Sequence, residues 1–175
     1  LVELAAPDRR VDAERDRDQV DQRDADQVQL DRDADRLADL AALRTRHAER
    51  PKVRVFYQVW NQPLMTVGGQ QIISDAIRLC GGENVFAALK PMAAAVTVEA
   101  VLAADPEAIV ATGMGDARPE WLDDWNKWTR MTAVKRGNLF HIHPDLMQRH
   151  TPRILDGAEQ LCAALDVARS RRPAK

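Results

Sequence analysis

The sequence predicts an α/β fold with a mainly parallel sheet flanked by helices, and three observations carry that prediction. Short β-rich segments recur along the chain, at residues 53–59, 108–111 and 139–142. Between them lie segments whose apolar residues repeat at three-and-four spacing, the period of a helix with one buried face. Strands separated by helices are joined by right-handed crossovers, which cover both faces of the sheet. A different kind of chain precedes this pattern, a charged N-terminal segment that is either helical or disordered.

That segment comes first in order. Between Ala13 and Gln29 the only branched aliphatic residues are Val20 and Val28, among alternating Asp and Arg. Such a stretch has too little apolar surface to offset its ordering entropy. An isolated helix held by ion pairs four residues apart is the alternative, each pair contributing a few tenths of a kcal/mol. Residues 1–29 are therefore expected to pack poorly. From residue 30 a helical stripe appears at Leu30, Ala34, Leu37 and Ala41, with Leu40 and Leu43 beside it. It runs to about residue 50 and stops at Pro51.

The α/β region is expected over 51–175. The run Val53-Arg54-Val55-Phe56-Tyr57-Gln58-Val59 reads as a buried strand, followed by a polar loop at Asn61-Gln62-Pro63. Gly68-Gly69 opens a helix striped with Ile72, Ile73, Ala76, Ile77 and Cys80, and Gly81-Gly82 stops it. Thr97 caps a short helix carrying Val98, Val101 and Leu102 that ends before Asp105-Pro106. A strand at 108–111 leads into a glycine loop at Gly113-Met114-Gly115. Trp121, Trp125 and Trp128 share one helix face. After the strand at 139–142, Thr151-Pro152 marks the start of a last helix with Ile154, Ala158, Leu161, Cys162 and Leu165 inward.

Composition excludes several functions. The chain has 175 residues and a net charge of -2, so no nucleic acid or anionic membrane is required as a partner. Its apolar runs are too short and interrupted to span a bilayer. No basic start followed by a hydrophobic run marks a secretory signal, an absence that mature and truncated chains share. Two cysteines without a CxxC permit one disulfide and argue against a cysteine-built metal site.

Candidate chemistry is sparse. His141, His143 and His150 with Asp145 have the residue types of a metal site, although His143 precedes Pro144 in a turn and no further ligand has suitable spacing. The pair Gly68-Gly69 lacks the rest of a nucleotide-binding motif. Ser74 lies inside a helix, and no G-x-S-x-G elbow exists. Neither cysteine has a basic activator nearby in sequence. Trp60 sits where a strand ends, beside Asn61 and Gln62. Ligands of open α/β sheets bind beyond the carboxyl ends of strands, so Trp60 is either a platform for a large flat ligand or a plug beneath the loop. Glu99 lies in the first turn of its helix, where the free N–H groups stabilise a carboxylate by about 0.3–1 kcal/mol.

Four segments taken together carry a family resemblance: Val55-Phe56-Tyr57-Gln58 with Pro63 and Gly68; Leu79-Cys80-Gly81-Gly82-Glu83-Asn84-Val85-Phe86; Val96-Thr97-Val98-Glu99-Ala100-Val101-Leu102; and Thr151-Pro152-Arg153-Ile154 with Leu161-Cys162. In this order and spacing they resemble the cobalamin-binding proteins of the helical-backbone class (class III) of periplasmic binding proteins, the substrate-capturing components of ABC importers. The resemblance covers residues 37–168, most strongly 52–165. It implies two Rossmann-like lobes joined by one long helix, with the corrinoid between them. Residues 51–175 would be the carboxy-terminal lobe, and 30–50 the end of the joining helix.

The resemblance also implies roles. Cys80 and Cys162 match the family's disulfide pair. Trp60, Asn61, Gln62, Leu64 and Met65 match the first ligand-facing loop. Asp145, Met147, Gln148 and Arg149 match the last, with Gln148 and Arg149 nearest the corrin edge. Ala93 stands where the pocket carries an aromatic. Glu99 matches the acidic residue that docks onto an arginine pocket of the membrane permease. The expected protein is periplasmic and not an enzyme, with cobalamin as transported ligand rather than cofactor and no resident metal. Residues 1–36 do not resemble the family. Their Asp/Arg repetition looks like a GC-rich gene translated in another frame or from a misassigned start, which would leave half a binding site. Two rival readings stand beside this one: a haem or iron-chelate binder of the same class, and a metal-dependent enzyme using His141, His143 and Asp145.

Overall fold

The computed structural model describes residues 9–113, 117–148 and 153–174, apart from the side chains of 9–26 and 33. The chain divides into two units, 1–41 and 42–175. Helix α1 spans Arg9–His47. No glycine or proline interrupts it, and it stops short of Pro51, whose ring disfavours a helical residue before it. The expected apolar stripe does not pack along its whole length. Leu30 and Leu37 are 62% and 67% exposed, whereas Leu43 and His47 are buried. The packed part of the stripe thus starts at Leu43. The expectation that residues 1–29 pack poorly concerns, over 1–26, side chains outside those described.

Within the second unit, a six-stranded sheet has the order β4-β2-β1-β5-β6, with β3 also on β1. The strands are β1 (Val53–Trp60), β2 (Met65–Val67), β3 (Gly82–Asn84), β4 (Ala93–Ala95), β5 (Ala108–Ala111) and β6 (Leu139–His141). Strand β1 is central. Its first half pairs parallel with β3 and its second half antiparallel with β2, while β5 lies parallel along its other edge and β6 parallel beyond that. The expected mainly parallel sheet is thus present, with β2 and β4 as its antiparallel part.

Alternation along the strands sorts two cores. Val53, Val55 and Tyr57 of β1 face one core with Ala108 and Val110 of β5. Helices α2 (Ile72–Leu79) and α6 (Ile154–Ser170) close it with Ile73, Ile77, Leu161 and Leu165. Phe56, Ile109 and Ala111 face the other. It is covered by α3 (Val98–Ala104), a 3-10 helix (Glu120–Lys127) and α4 (Thr132–Lys135). The three tryptophans share that side, as expected, but on a 3-10 rather than an α-helix. Helix α2 begins at Ile72, with the Gln71 side chain accepting from the Ile73 N–H, rather than at the glycine pair. The Thr97 cap and the stop at Asp105 stand as expected. Met114, Gly115, Thr151 and Pro152 lie outside the described residues.

Cys80 and Cys162 form a disulfide with Cα atoms 4.7 Å apart, joining the end of α2 to α6. Beside it Arg169 of α6 ties three pieces of chain together. Its guanidinium donates to the carbonyls of Pro51, Cys80 and Gly81 at 2.9, 2.6 and 3.0 Å, and it pairs with Asp166 at 2.6 Å. Asp166 in turn meets Nε2 of buried His47, 3.2 Å away. Partial burial pushes the Asp166 carboxyl up, but hydrogen bonds and charge from His47 and Arg169 outweigh it and hold the group below its ordinary value. Gly81 is required here: its φ is +68°, and a Cβ would lie 3.0 Å from the His47 carbonyl.

Candidate functional site

The carboxyl ends of β1, β5 and β6 point to one edge of the sheet, and the loops leaving them carry the expected site residues. Trp60 ends β1 half-buried, its indole N–H donating to the Gln62 carbonyl at 2.9 Å. This bond folds the ring back onto its own loop. Asn61 and Leu64 are half-buried and Gln62 is exposed. The Gln62–Pro63 peptide is cis. Met65 starts β2, and the Leu64 carbonyl accepts from Val96 at 2.9 Å, so the loop is pinned to the segment entering α3. Ala93 is exposed on β4, opposite Val67.

Beside this loop lies a cleft of about 200 Å³. Asn61, Gln62 and Leu64 line it from the loop, Val98 from the start of α3, and Trp121, Asp124, Trp125, Lys127 and Trp128 from the 3-10 helix and its end. The indole N–H of Trp125 donates to Oε1 of Gln58 at 2.7 Å. Gln58 is fully buried in β1. Its Nε2 reaches Oδ1 of Asn61 and the Trp60 carbonyl, both at 3.5 Å. A polar residue inside the buried run of β1 was the available signal for this network. The tryptophan face belongs to the second core and also walls a cleft.

Past β6, His143 caps α5 (Pro144–Met147), its Nδ1 accepting from the Asp145 N–H at 3.2 Å. Asp145 is half-buried in the first turn of that helix. Met147 does not face outward. It is 1% exposed and packs in the first core, so it supports the loop from beneath rather than offering a ligand contact. Gln148 donates from Nε2 to Thr112 Oγ1 at 2.7 Å and lies 3.4 Å from the Gly113 carbonyl. Thr112, which the sequence reading passed over, is buried at the end of β5 and fixed by its own backbone. Its N–H donates to Gln58, and its carbonyl accepts from His141. Burial pushes the neighbouring Tyr57 hydroxyl well above its ordinary value, with the nearby Thr112 side chain opposing it. Arg149 and His150 lie outside the described residues.

Among the described residues, the histidines do not assemble a metal centre. His141 is turned to the Thr112 carbonyl, and His143 is spent on its cap. Desolvation lowers the His141 pKa, with the backbone bond opposing and the charges of His143 and Arg118 adding to it. Among the described residues, no three His, Cys, Asp or Glu side chains converge as a metal would need. Glu99 is exposed in the first turn of α3, two residues after its Thr97 cap.

Comparison with known proteins matches residues 19–146 to the family model described as periplasmic binding protein. The match begins inside the segment that the sequence reading set apart from the family. A vitamin B12-binding protein of Vibrio vulnificus is 32% identical over 143 residues, covering 79% of this chain and 50% of that protein. The crystal structure of a periplasmic vitamin B12 binding protein of Vibrio cholerae superposes with a TM-score of 0.67 at 30% identity, over 75% of this chain and 51% of that one. A periplasmic heme-binding protein of Roseiflexus shares the fold, with a TM-score of 0.65 at 20% identity over 77% of this chain and 54% of that one. The chain thus spans about half the length of these relatives. No described helix is long and apolar enough to cross a membrane. Fold, sequence and family model agree: the chain belongs to the periplasmic binding protein family.

Proposed function

We propose that this chain is the carboxy-terminal lobe of a periplasmic substrate-binding component of an ABC importer, that its ligand is cobalamin or a related corrinoid, and that it is a binding protein rather than an enzyme. The observation that carries the reading is the pairing of two loops at one sheet edge. One holds Trp60, Asn61, Gln62, Leu64 and Met65; the other holds Asp145 and Gln148, with Arg149 next in sequence. A wide, flat, amide-rimmed ligand suits amide side chains with an aromatic cleft beside them. The two relatives at 30% identity or more that carry vitamin B12 in their names support the corrinoid over its rivals. Glu99, exposed beside that edge, serves as the docking carboxylate for the permease.

The haem or iron-chelate reading keeps the class and changes the ligand. It is favoured by fold likeness alone, at 20% identity. Titration of the chain with cyanocobalamin and with haem, followed calorimetrically, separates the two. A pocket between lobes buries most of its ligand, and one lobe supplies one wall. The expected result is a corrinoid dissociation constant above about 1 μM, tightened when an amino-terminal lobe is supplied, and weaker haem binding. Haem binding tighter than corrinoid would overturn the assignment.

A further inference from the structure

Among the described side chains of α1, the buried ones are Leu43 and His47. The end of the helix is therefore held to the lobe through one apolar residue and one that can take up a proton. The bonds of the second have a fixed polarity. The Leu43 carbonyl oxygen lies 2.9 Å from Nδ1 of His47, and a carboxylate oxygen of Asp166 lies 3.2 Å from Nε2. Both partners accept, and a neutral imidazole has one N–H to give. Its other nitrogen would then set a lone pair against an oxygen in a buried site, where an unmade hydrogen bond is expensive. Two states remove the conflict: a proton on Asp166, or a second hydrogen on the His47 ring. The first is opposed by Arg169, which donates to the other carboxylate oxygen at 2.6 Å. Partial burial pushes the Asp166 carboxyl up, yet the bonds and charges from His47 and Arg169 hold it below its ordinary value. The second state remains.

We propose that His47 is a proton-operated latch: as an imidazolium it fastens the last turn of α1 to α6, and loss of its second proton loosens that joint. The charged groups around it fit the role. From α6, Asp166 faces the ring and Arg169 stands behind on the far oxygen. The turn between α2 and β3 presents the carbonyls of Cys80 and Gly81, both bound by Arg169. On its own segment Arg44, Arg46, Glu49, Arg50 and Lys52 are exposed, where water and salt screen them. Arg169 also binds the Pro51 carbonyl, so a proton leaving His47 is felt at the entry to β1 and at the disulfide-bearing end of α2. The sign follows from linkage. The folded state holds the second proton between two acceptors and the unfolded chain does not. The latch is therefore full on the acid side of the ordinary imidazole range, about 6.5, and is lost as pH rises beyond it. On the proposed reading this joint lies where the helix between lobes enters the carboxy-terminal one; the latch itself does not depend on which ligand is bound.

Two measurements on the whole, oxidised chain test this. Nitrogen NMR of the histidine rings at neutral pH reads the latch directly: both ring nitrogens of His47 should carry hydrogen. Thermal midpoints should fall by roughly 3–5 °C in the wild type between about pH 6 and about pH 8.5. Asp166→Asn separates a proton switch from a merely structural contact. Its amide keeps an oxygen for Arg169 and offers an NH2 to Nε2, which suits a neutral ring donating to the Leu43 carbonyl. The variant's midpoint should therefore change less than half as much over the same range, with one hydrogen on the His47 ring at neutral pH. A wild-type ring with a single hydrogen at neutral pH, or equal pH dependence in the two proteins, overturns the proposal. Should Asp166→Asn fail to fold, the wild-type spectrum decides. Neither outcome touches the corrinoid reading, which stands or falls on the ligand titrations.

Discussion

Breaking the Cys80–Cys162 disulfide should cost this fold a large share of its stability. The two residues are 82 apart in sequence. In the chain-entropy account, releasing a loop of that length returns about 4.5 kcal/mol of freedom to the unfolded state at 25 °C. A domain of this size has about 5–15 kcal/mol in all. Converted with about 2 cal/mol/K of unfolding entropy per residue over residues 42–175, the loss corresponds to roughly 16 °C in midpoint. Both cysteines are buried, with Ile77, Leu161 and Leu165 in the same core, so Cys80→Ala/Cys162→Ala should leave α2 and α6 packed without opening a large cavity. The assay is scanning calorimetry of the oxidised protein, the reduced protein and the double variant. Reduction and double substitution should lower the midpoint by similar amounts, at least 10 °C. A drop below about 4 °C would refute the reasoning, because the unfolded chain would then hold residual structure that already closes the loop.

Three further outcomes are expected. Gly157→Ala should lower the thermal midpoint despite a helix-propensity gain of up to about 1 kcal/mol, because the added Cβ meets the Leu146 carbonyl and Met147 Sδ, both at 2.7 Å; overpacking of this kind costs about 1–3 kcal/mol, and an unchanged or higher midpoint would show that α5 can shift. The Asp166 carboxyl lies below its ordinary value, so its stabilisation is full above the unfolded carboxylate value near 4 and is lost as pH falls through the lower folded value; urea midpoints measured from pH 6 to 2 should fall less steeply in Asp166→Asn than in the wild type. Glu99→Gln should change stability by no more than about 1 kcal/mol while weakening permease binding in a protein that has both lobes, and unchanged docking with a falling midpoint would make Glu99 a structural residue.

Legibility in the sequence followed how much each element owed to its own residues. Strands β1, β5 and β6 were readable because buried parallel strands need continuous apolar runs, as in Val53–Trp60 and Ala108–Ala111. Strands β2, β3 and β4 were not. Each has three residues, and Gly82-Glu83-Asn84 or Ala93-Ala94-Ala95 carries no strand pattern. They exist because β1 offers an edge for β2 and β3, and β2 offers one for β4. Helix α1 shows the converse. Its stripe at Leu30 and Leu37 has the right period, yet those side chains are exposed, since periodicity tells which residues share a face and not whether anything covers it. The disulfide pairing came with the family resemblance; the residues themselves only permitted it.

The site was legible as positions and illegible as chemistry, and the difference has a physical cause. Residue types at loop ends can be read from a sequence: Asn61 and Gln62 after a strand, Gln148 after a capped turn. The direction in which an amide points cannot, because each can donate or accept with equal ease until a neighbour with one option fixes it. Those neighbours are remote in sequence. Trp125 is 67 residues from Gln58, and Gly113, whose carbonyl can only accept, is 35 from Gln148. The sequence reading placed Trp125 on a helix face and Gly113 in a glycine loop, with no link to either amide. Met147 fails in the opposite sense: it lies beside Gln148 in the ligand-facing loop, but the single turn of α5 carries its side chain into the core against Gly157. On the proposed reading, Gln58 and Thr112 hold the loop amides from behind, so substitutions there should weaken ligand binding before they unfold the lobe.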